Sequence, residues 1–115
     1  MKKLSEREIK SAVASLRGWR VMDGKIFREF RFEDFSRAFA FMTACAIHAE
    51  KENHHPEWFN VYNVVKVWLV THDAQGISQR DIEMAGFMNH LYSTALDASM
   101  RKGVKVKRDA GIQAE

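Results

Sequence analysis

Cysteine occurs once in this chain, at Cys45, and proline once, at Pro56. A lone thiol has no partner for an intramolecular disulfide, which points to a reducing, cytoplasmic location. Long hydrophobic runs are also missing. No stretch approaches the roughly 18 to 20 apolar residues that a bilayer crossing needs, so no membrane span is expected. The N-terminus, Met1-Lys2-Lys3-Leu4-Ser5-Glu6, turns polar before a signal-peptide core could form. Repeats, linkers and low-complexity segments are absent. No RNP-like, zinc-finger or helix-turn-helix pattern accompanies the net charge of +3 and the pI near 9.2, so direct nucleic-acid binding is not expected. There is no His-Glu-x-x-His helix and no Gly-x-Ser-x-Gly elbow, which disfavours a zinc hydrolase and a serine nucleophile. Cys45 falls in the middle of a helical pattern, a poor place for a nucleophile.

What is present is the composition of one soluble domain: 115 residues, 46% hydrophobic and 29% charged. Residues 1–100 read as that domain and 101–115 as a basic C-terminal tail. Five basic residues, from Arg101 to Arg108, precede the first acid of that tail, Asp109. Such a run ordinarily stays in solvent.

The periodicity resolves into elements. Ser5 with Glu8 three positions on is a capping-box pattern, and Ile9, Val13 and Leu16 follow at helical spacing, predicting a first helix that stops by Gly18. Trp19–Met22 and Lys25–Phe32 alternate around Asp23-Gly24, a strong hairpin turn. Asp34 suits a helix cap, and Phe35, Ala38, Phe39, Met42, Ala46 and Ala49 form a stripe that predicts a helix to Glu52 with this face in the core. Trp58–Tyr62 and Val65–Thr71 are rich in aromatic and β-branched residues and read as a second hairpin turning at Asn63-Val64. Ser78, with Asp81 at the third position, starts a last helix whose stripe is Ile82, Ala85, Met88, Leu91, Tyr92 and Ala95. The order α-β-β-α-β-β-α describes an α+β fold: a four-stranded antiparallel sheet made of two hairpins, with helices packed on one face.

Against this frame the histidines stand out. His54, His55 and His72 lie within two dozen residues, flanked by carboxylates and aromatics. Imidazole, with an unperturbed pKa of about 6.5, gives and takes protons near neutral pH. Pro56 ends the second helix by removing a donor and biasing His55 toward extended geometry, so the pair sits at a helix-to-strand junction. A turn at Asn63-Val64 would set His55 opposite His72 across the second hairpin. Glu50, four residues before His54, would share its side of the helix and could orient it or stabilise its charged form. Adjacent residues at a strand mouth point to opposite faces, which makes His54 and His55 poor joint ligands for one metal ion. His48 and His90 read as ordinary helix residues.

The spacing from Glu50 through His54-His55-Pro56 and Tyr62 to His72 and Asp81 resembles the pterin-4a-carbinolamine dehydratase family. The likeness extends over Phe30 to Phe87 and includes Glu57-Trp58-Phe59-Asn60-Val61-Tyr62-Asn63 and Arg80-Asp81-Ile82. It implies an enzyme, a hydro-lyase that dehydrates 4a-hydroxytetrahydropterin to quinonoid dihydropterin in tetrahydropterin recycling, with no metal or organic cofactor. By the same resemblance His54, His55 and His72 are catalytic, Asn53, Val70, Thr71 and Asp73 line the substrate, and Glu50, Pro56, Trp58 and Asp81 support the site. Animal members commonly have Asp at the position of Asn53, a small polar residue at Val70 and Glu at Asp73. The implied partners are the pterin itself, a second or further copy of this chain in a homodimer or homotetramer, and a functional link to an aromatic amino-acid hydroxylase. Some animal relatives also act as a dimerisation cofactor of a homeodomain transcription factor, which offers a protein-binding module as the alternative function.

Overall fold

The structure is a computed structural model that describes residues 1–101, the last seven by backbone alone. Its elements run α1 (Glu6–Ala14), β1 (Arg20–Met22), β2 (Lys25–Arg31), α2 (Phe35–Glu52), β3 (Glu57–Val61), β4 (Val64–Leu69), a single 3-10 turn over His72–Ala74, and α3 (Gln79–Arg101). The four strands form one antiparallel sheet in the order β1-β2-β4-β3. The α+β fold and its element order are those expected from the sequence. The basic tail falls outside the described residues beyond Arg101, as does the Ala95 side chain.

Local chemistry sets the boundaries. Ser5 and Glu8 make the reciprocal capping box that starts α1, with bonds of 2.8 and 3.1 Å. Asp23 and Gly24 both take positive φ, 53° and 77°, the twist a tight hairpin between β1 and β2 requires. Asp34 accepts from the Arg37 amide at 2.9 Å and opens α2.

One face of the sheet carries the core. Ile26 and Phe30 of β2 and Val65, Val67 and Leu69 of β4 are covered by Ala38, Phe41, Cys45 and Ala49 of α2 and by Met84, Ala85 and Met88 of α3. Phe30, Phe32, Phe41 and Tyr92 meet in tilted and edge-to-face contacts with centroids 4.7 to 6.4 Å apart. The opposite face, with Lys25, Phe27, Glu29, Arg31, Glu57, Phe59, Lys66 and Trp68, is covered by no helix among the described residues. Burial pushes the Cys45 thiol up to about 12, so it is protonated and unreactive at neutral pH.

Two expectations are corrected. The α2 stripe is partly out of phase: Ala38 and Ala49 are buried as expected, but Phe35, Phe39 and Ala46 face out while Phe41 and Cys45 take the core positions. The helix is apolar over more than one face, so periodicity alone did not select which face meets the sheet. The second hairpin turns at Tyr62-Asn63, not Asn63-Val64, and Val61 faces Val64. Val64 is buried and β-branched and belongs in the strand, where it also pairs with Arg31. Asn63 is fixed from outside the hairpin, because its Nδ2 donates to the Phe32 carbonyl at 2.9 Å and its carbonyl accepts from the Phe32 amide at 2.9 Å. Tyr62 then adopts a positive φ of 49° to close the turn.

Candidate active site

The corrected register removes the direct opposition of His55 and His72. Neither lies in a strand: His55 precedes β3 and His72 follows β4. They still share one end of the sheet, since antiparallel pairing of Glu57 with Trp68 sets the start of β3 beside the end of β4. Glu57 completes the link, with Oε2 3.7 Å from His72 Nε2 and Oε1 bonded to Lys25 Nζ at 2.6 Å.

The junction after α2 separates the two neighbouring histidines. Asn53 takes the left-handed conformation, φ 52° and ψ 45°, and caps α2, its amide bonding back into the last turn. Asn tolerates this backbone better than most residues, and the resulting turn ends the helix at Glu52, two residues before His54. The His54 amide still returns to the Ala49 carbonyl at 3.0 Å. The His54 side chain enters the protein while His55 stays in solvent and Pro56 leads into β3.

His54 is held by Asp81, Nε2 to Oδ1 at 2.6 Å. Asp81 is fully buried and its second oxygen, Oδ2, accepts from the Thr71 hydroxyl at 2.8 Å and the Ser78 amide at 2.9 Å. Three hydrogen bonds satisfy this one carboxylate in a place where unpaired polar atoms would be costly. Thr71 donates to Asp81, so the 2.6 Å contact between Thr71 Oγ1 and Ser78 Oγ has the serine donating. Ser78 Oγ in turn accepts from the Arg80 amide at 3.2 Å. Ser78 thus caps α3 as the spacing predicts, with its hydroxyl taking the Arg80 amide and its own amide held by Asp81, and that carboxylate is the one that grips His54.

His72 sits on a small closed loop. Thr71 and Gly76 exchange backbone bonds of 3.0 and 3.2 Å, and the Ala74 and Gln75 amides bond to Thr71 and His72 carbonyls. The imidazole itself is largely exposed, as is that of His55, whose Nε2 lies 2.9 Å from Glu50 Oε1. Glu50 therefore serves His55 and not His54, because the left-handed Asn53 swings His54 away from the face that Glu50 occupies.

Of the positions expected to line a substrate, Asn53 and Asp73 are exposed, Val70 is half-buried, and Thr71 is buried with its hydroxyl taken by Asp81 and Ser78. Trp58 lies on the core side of β3, packed against the hydrophobic cluster. Lys25, Glu57, Ser78 and Arg80 also shape the site. In the sequence Ser78 reads only as a cap, through the Ser78-x-x-Asp81 spacing, Glu57 and Arg80 enter only as part of the family likeness without a role, and Lys25 carries no signal. Among the described residues no group of three or more His, Cys, Asp or Glu could hold a metal ion.

Each of three imidazoles at one end of the sheet thus has a carboxylate of its own beside it. Residues 2–91 fit the family model described as pterin 4 alpha carbinolamine dehydratase. The chain belongs to that family. Proteins from Solibacter usitatus and Brucella ovis, both provisionally named pterin-4-alpha-carbinolamine dehydratase, are 52% and 51% identical to it over 89 residues. These alignments cover 77% and 76% of this chain and 94% and 92% of theirs. A crystal structure from Brucella melitensis, described as a transcriptional coactivator/pterin dehydratase, is 48% identical with a TM-score of 0.77. That match covers 79% of this chain and 99% of the other. All three histidines lie inside the matched region.

Proposed function

We propose that this chain dehydrates 4a-hydroxytetrahydropterin to quinonoid dihydropterin, with His54, His55 and His72 as its catalytic set. The elimination needs a proton delivered to the hydroxyl on C4a as the C–O bond breaks, and a proton removed from a ring nitrogen whose electron pair then forms the new C=N bond. Water leaves, and no electrons are gained or lost. Imidazoles suit both tasks at neutral pH, and neither task requires a metal or an organic cofactor. His55 and His72 carry out the exchange with solvent that resets them after each turnover, since both are exposed and each has a carboxylate beside it. His54, fixed by Asp81, presents its ring in one orientation. The observation that carries this reading is the set of three histidine–carboxylate pairs at one end of the sheet, within a chain of this family.

The substrate of such a reaction is the spent cofactor of a pterin-dependent hydroxylase, so the proposed setting is tetrahydropterin recycling in the cytoplasm beside an aromatic amino-acid hydroxylase. Stopped-flow absorbance with the purified full-length protein tests the activity. Dehydration faster than the uncatalysed reaction is expected, and no enhancement at micromolar enzyme would overturn the assignment.

A protein-binding role is the second reading, favoured by the outer face of α2. Phe35, Phe39 and Ile47 are 47%, 54% and 67% exposed at four- and eight-residue spacing, and no Asp, Glu, Lys or Arg occurs from Ala38 to Ala49. Self-association into a dimer or tetramer through this face accounts for it, and a coactivator-like partner would compete for the same surface.

A further inference from the structure

We propose that Arg80 is a positioning residue for the His54–His55 pair, acting through the backbone at the end of α2; the proposal rests on the dehydratase reading of the site. The last carbonyls of a helix have no partners within it. Here Arg80, from the first turn of α3, supplies one: its Nη2 donates to the Glu52 carbonyl at 2.6 Å and to the Asn53 carbonyl at 2.8 Å. In an extended strand successive carbonyls point to opposite sides and one nitrogen cannot reach both. The bridge is therefore specific to the curled backbone that Asn53 adopts.

That curl decides which neighbouring histidine enters the protein. The left-handed region is strained for any residue with a side chain, least so for Asn, and it persists where surrounding contacts hold it. Arg80 is such a contact. Among the described residues its guanidinium makes no ion pair, although the chain has 15 acids and Glu52 and Glu83 line the same pocket between α2 and α3. Its side-chain hydrogen bonds go to the two carbonyls. The planar guanidinium offers several donors in a fixed fork, which suits a main-chain clamp.

The position of Arg80 in the chain adds to the argument. Its own amide is bonded to Ser78 Oγ within the cap of α3, and the next residue, Asp81, holds the His54 ring. Consecutive residues of one helix turn thus grip both parts of the same short unit, Arg80 its backbone and Asp81 its imidazole. Without Arg80, Asp81 still holds His54, and the freedom appears in the direction His55 takes from the junction.

Stopped-flow dehydration by full-length wild type, Arg80→Met and Arg80→Lys tests this, with circular dichroism to confirm folding and NMR of the histidine rings as a second readout. Arg80→Met should lower kcat about tenfold while KM changes by less than about threefold, because a misdirected imidazole affects the reaction more than binding. Arg80→Lys, which keeps a cationic donor, should recover most of that loss. The ring signals of His55 should shift in Arg80→Met while the His54 ring bonded to Asp81 keeps its own. Wild-type kcat in a folded Arg80→Met overturns the proposal, as does an equal loss in the Lys and Met variants. If Arg80→Met does not fold, Arg80→Gln takes its place against Arg80→Lys under the same criteria. Should wild type show no dehydration at all, the dehydratase reading falls, and the His55 ring shift alone decides the role of Arg80: a shift supports it and unchanged signals overturn it.

Discussion

His54 and His55 are neighbours in the chain and opposites in surroundings. The His54 ring is 8% exposed against a carboxylate that is fully buried and takes two further donors; the His55 ring is 55% exposed beside a glutamate that is 83% exposed. His72, with 82% exposure and a partner at 3.7 Å, resembles His55. The same pair of residue types therefore does two different jobs. A buried pair, once desolvated, fixes geometry and fails badly when one member is removed, whereas an exposed pair contributes little to stability and leaves its imidazole open to solvent.

The most severe test of this contrast is Asp81→Ala. It strands the buried His54 ring, the Thr71 hydroxyl and the Ser78 amide at once. Stability should fall by about 3–5 kcal/mol, seen as a lower urea midpoint, and turnover should collapse with it. A loss under about 1 kcal/mol would show that the buried pair is no anchor. Next in size, His55→Ala and His72→Ala should each cut turnover at least about tenfold, near 1.4 kcal/mol of barrier, while the denaturation midpoint stays within about 0.5 kcal/mol of wild type. Full turnover in either folded variant would remove that histidine from the catalytic set. The smallest effect belongs to Glu50→Gln, which keeps the shape and removes the charge. Stability should change by less than about 0.5 kcal/mol, and turnover should fall no more than about threefold. A tenfold fall would mean that exposure has not decoupled Glu50 from His55.

Much of this was legible in the sequence where the determinant is local. The Ser5 and Asp34 caps, the Asp23-Gly24 turn and the stop at Pro56 are written within a few residues, and α2 ends at Glu52 as its pattern indicates. The Ser78-x-x-Asp81 spacing announced the start of α3 but not that its carboxylate would reach back 27 residues to His54. The hairpin register was misread because the turn is set by Asn63 bonding to Phe32, 31 residues earlier, a contact with no local signature. The phase of the α2 stripe failed for a related reason, since Phe35, Phe39 and Phe41 are equally apolar and only the sheet beneath selects among them. The contact made by Arg80 was the least legible: the residue belongs to the family likeness, but a guanidinium directed at two carbonyls leaves no pattern in neighbouring residues.

The shared use of Asp81 has a consequence for how the molecule fails on heating. Because the start of α3 and the seat of His54 depend on one carboxylate, local opening at this end breaks the helix cap and releases the imidazole together. Release of the His54 ring on heating is then the same event as melting the first turn of α3, and a state with the cap broken and the ring still held by Asp81 has no structural basis there.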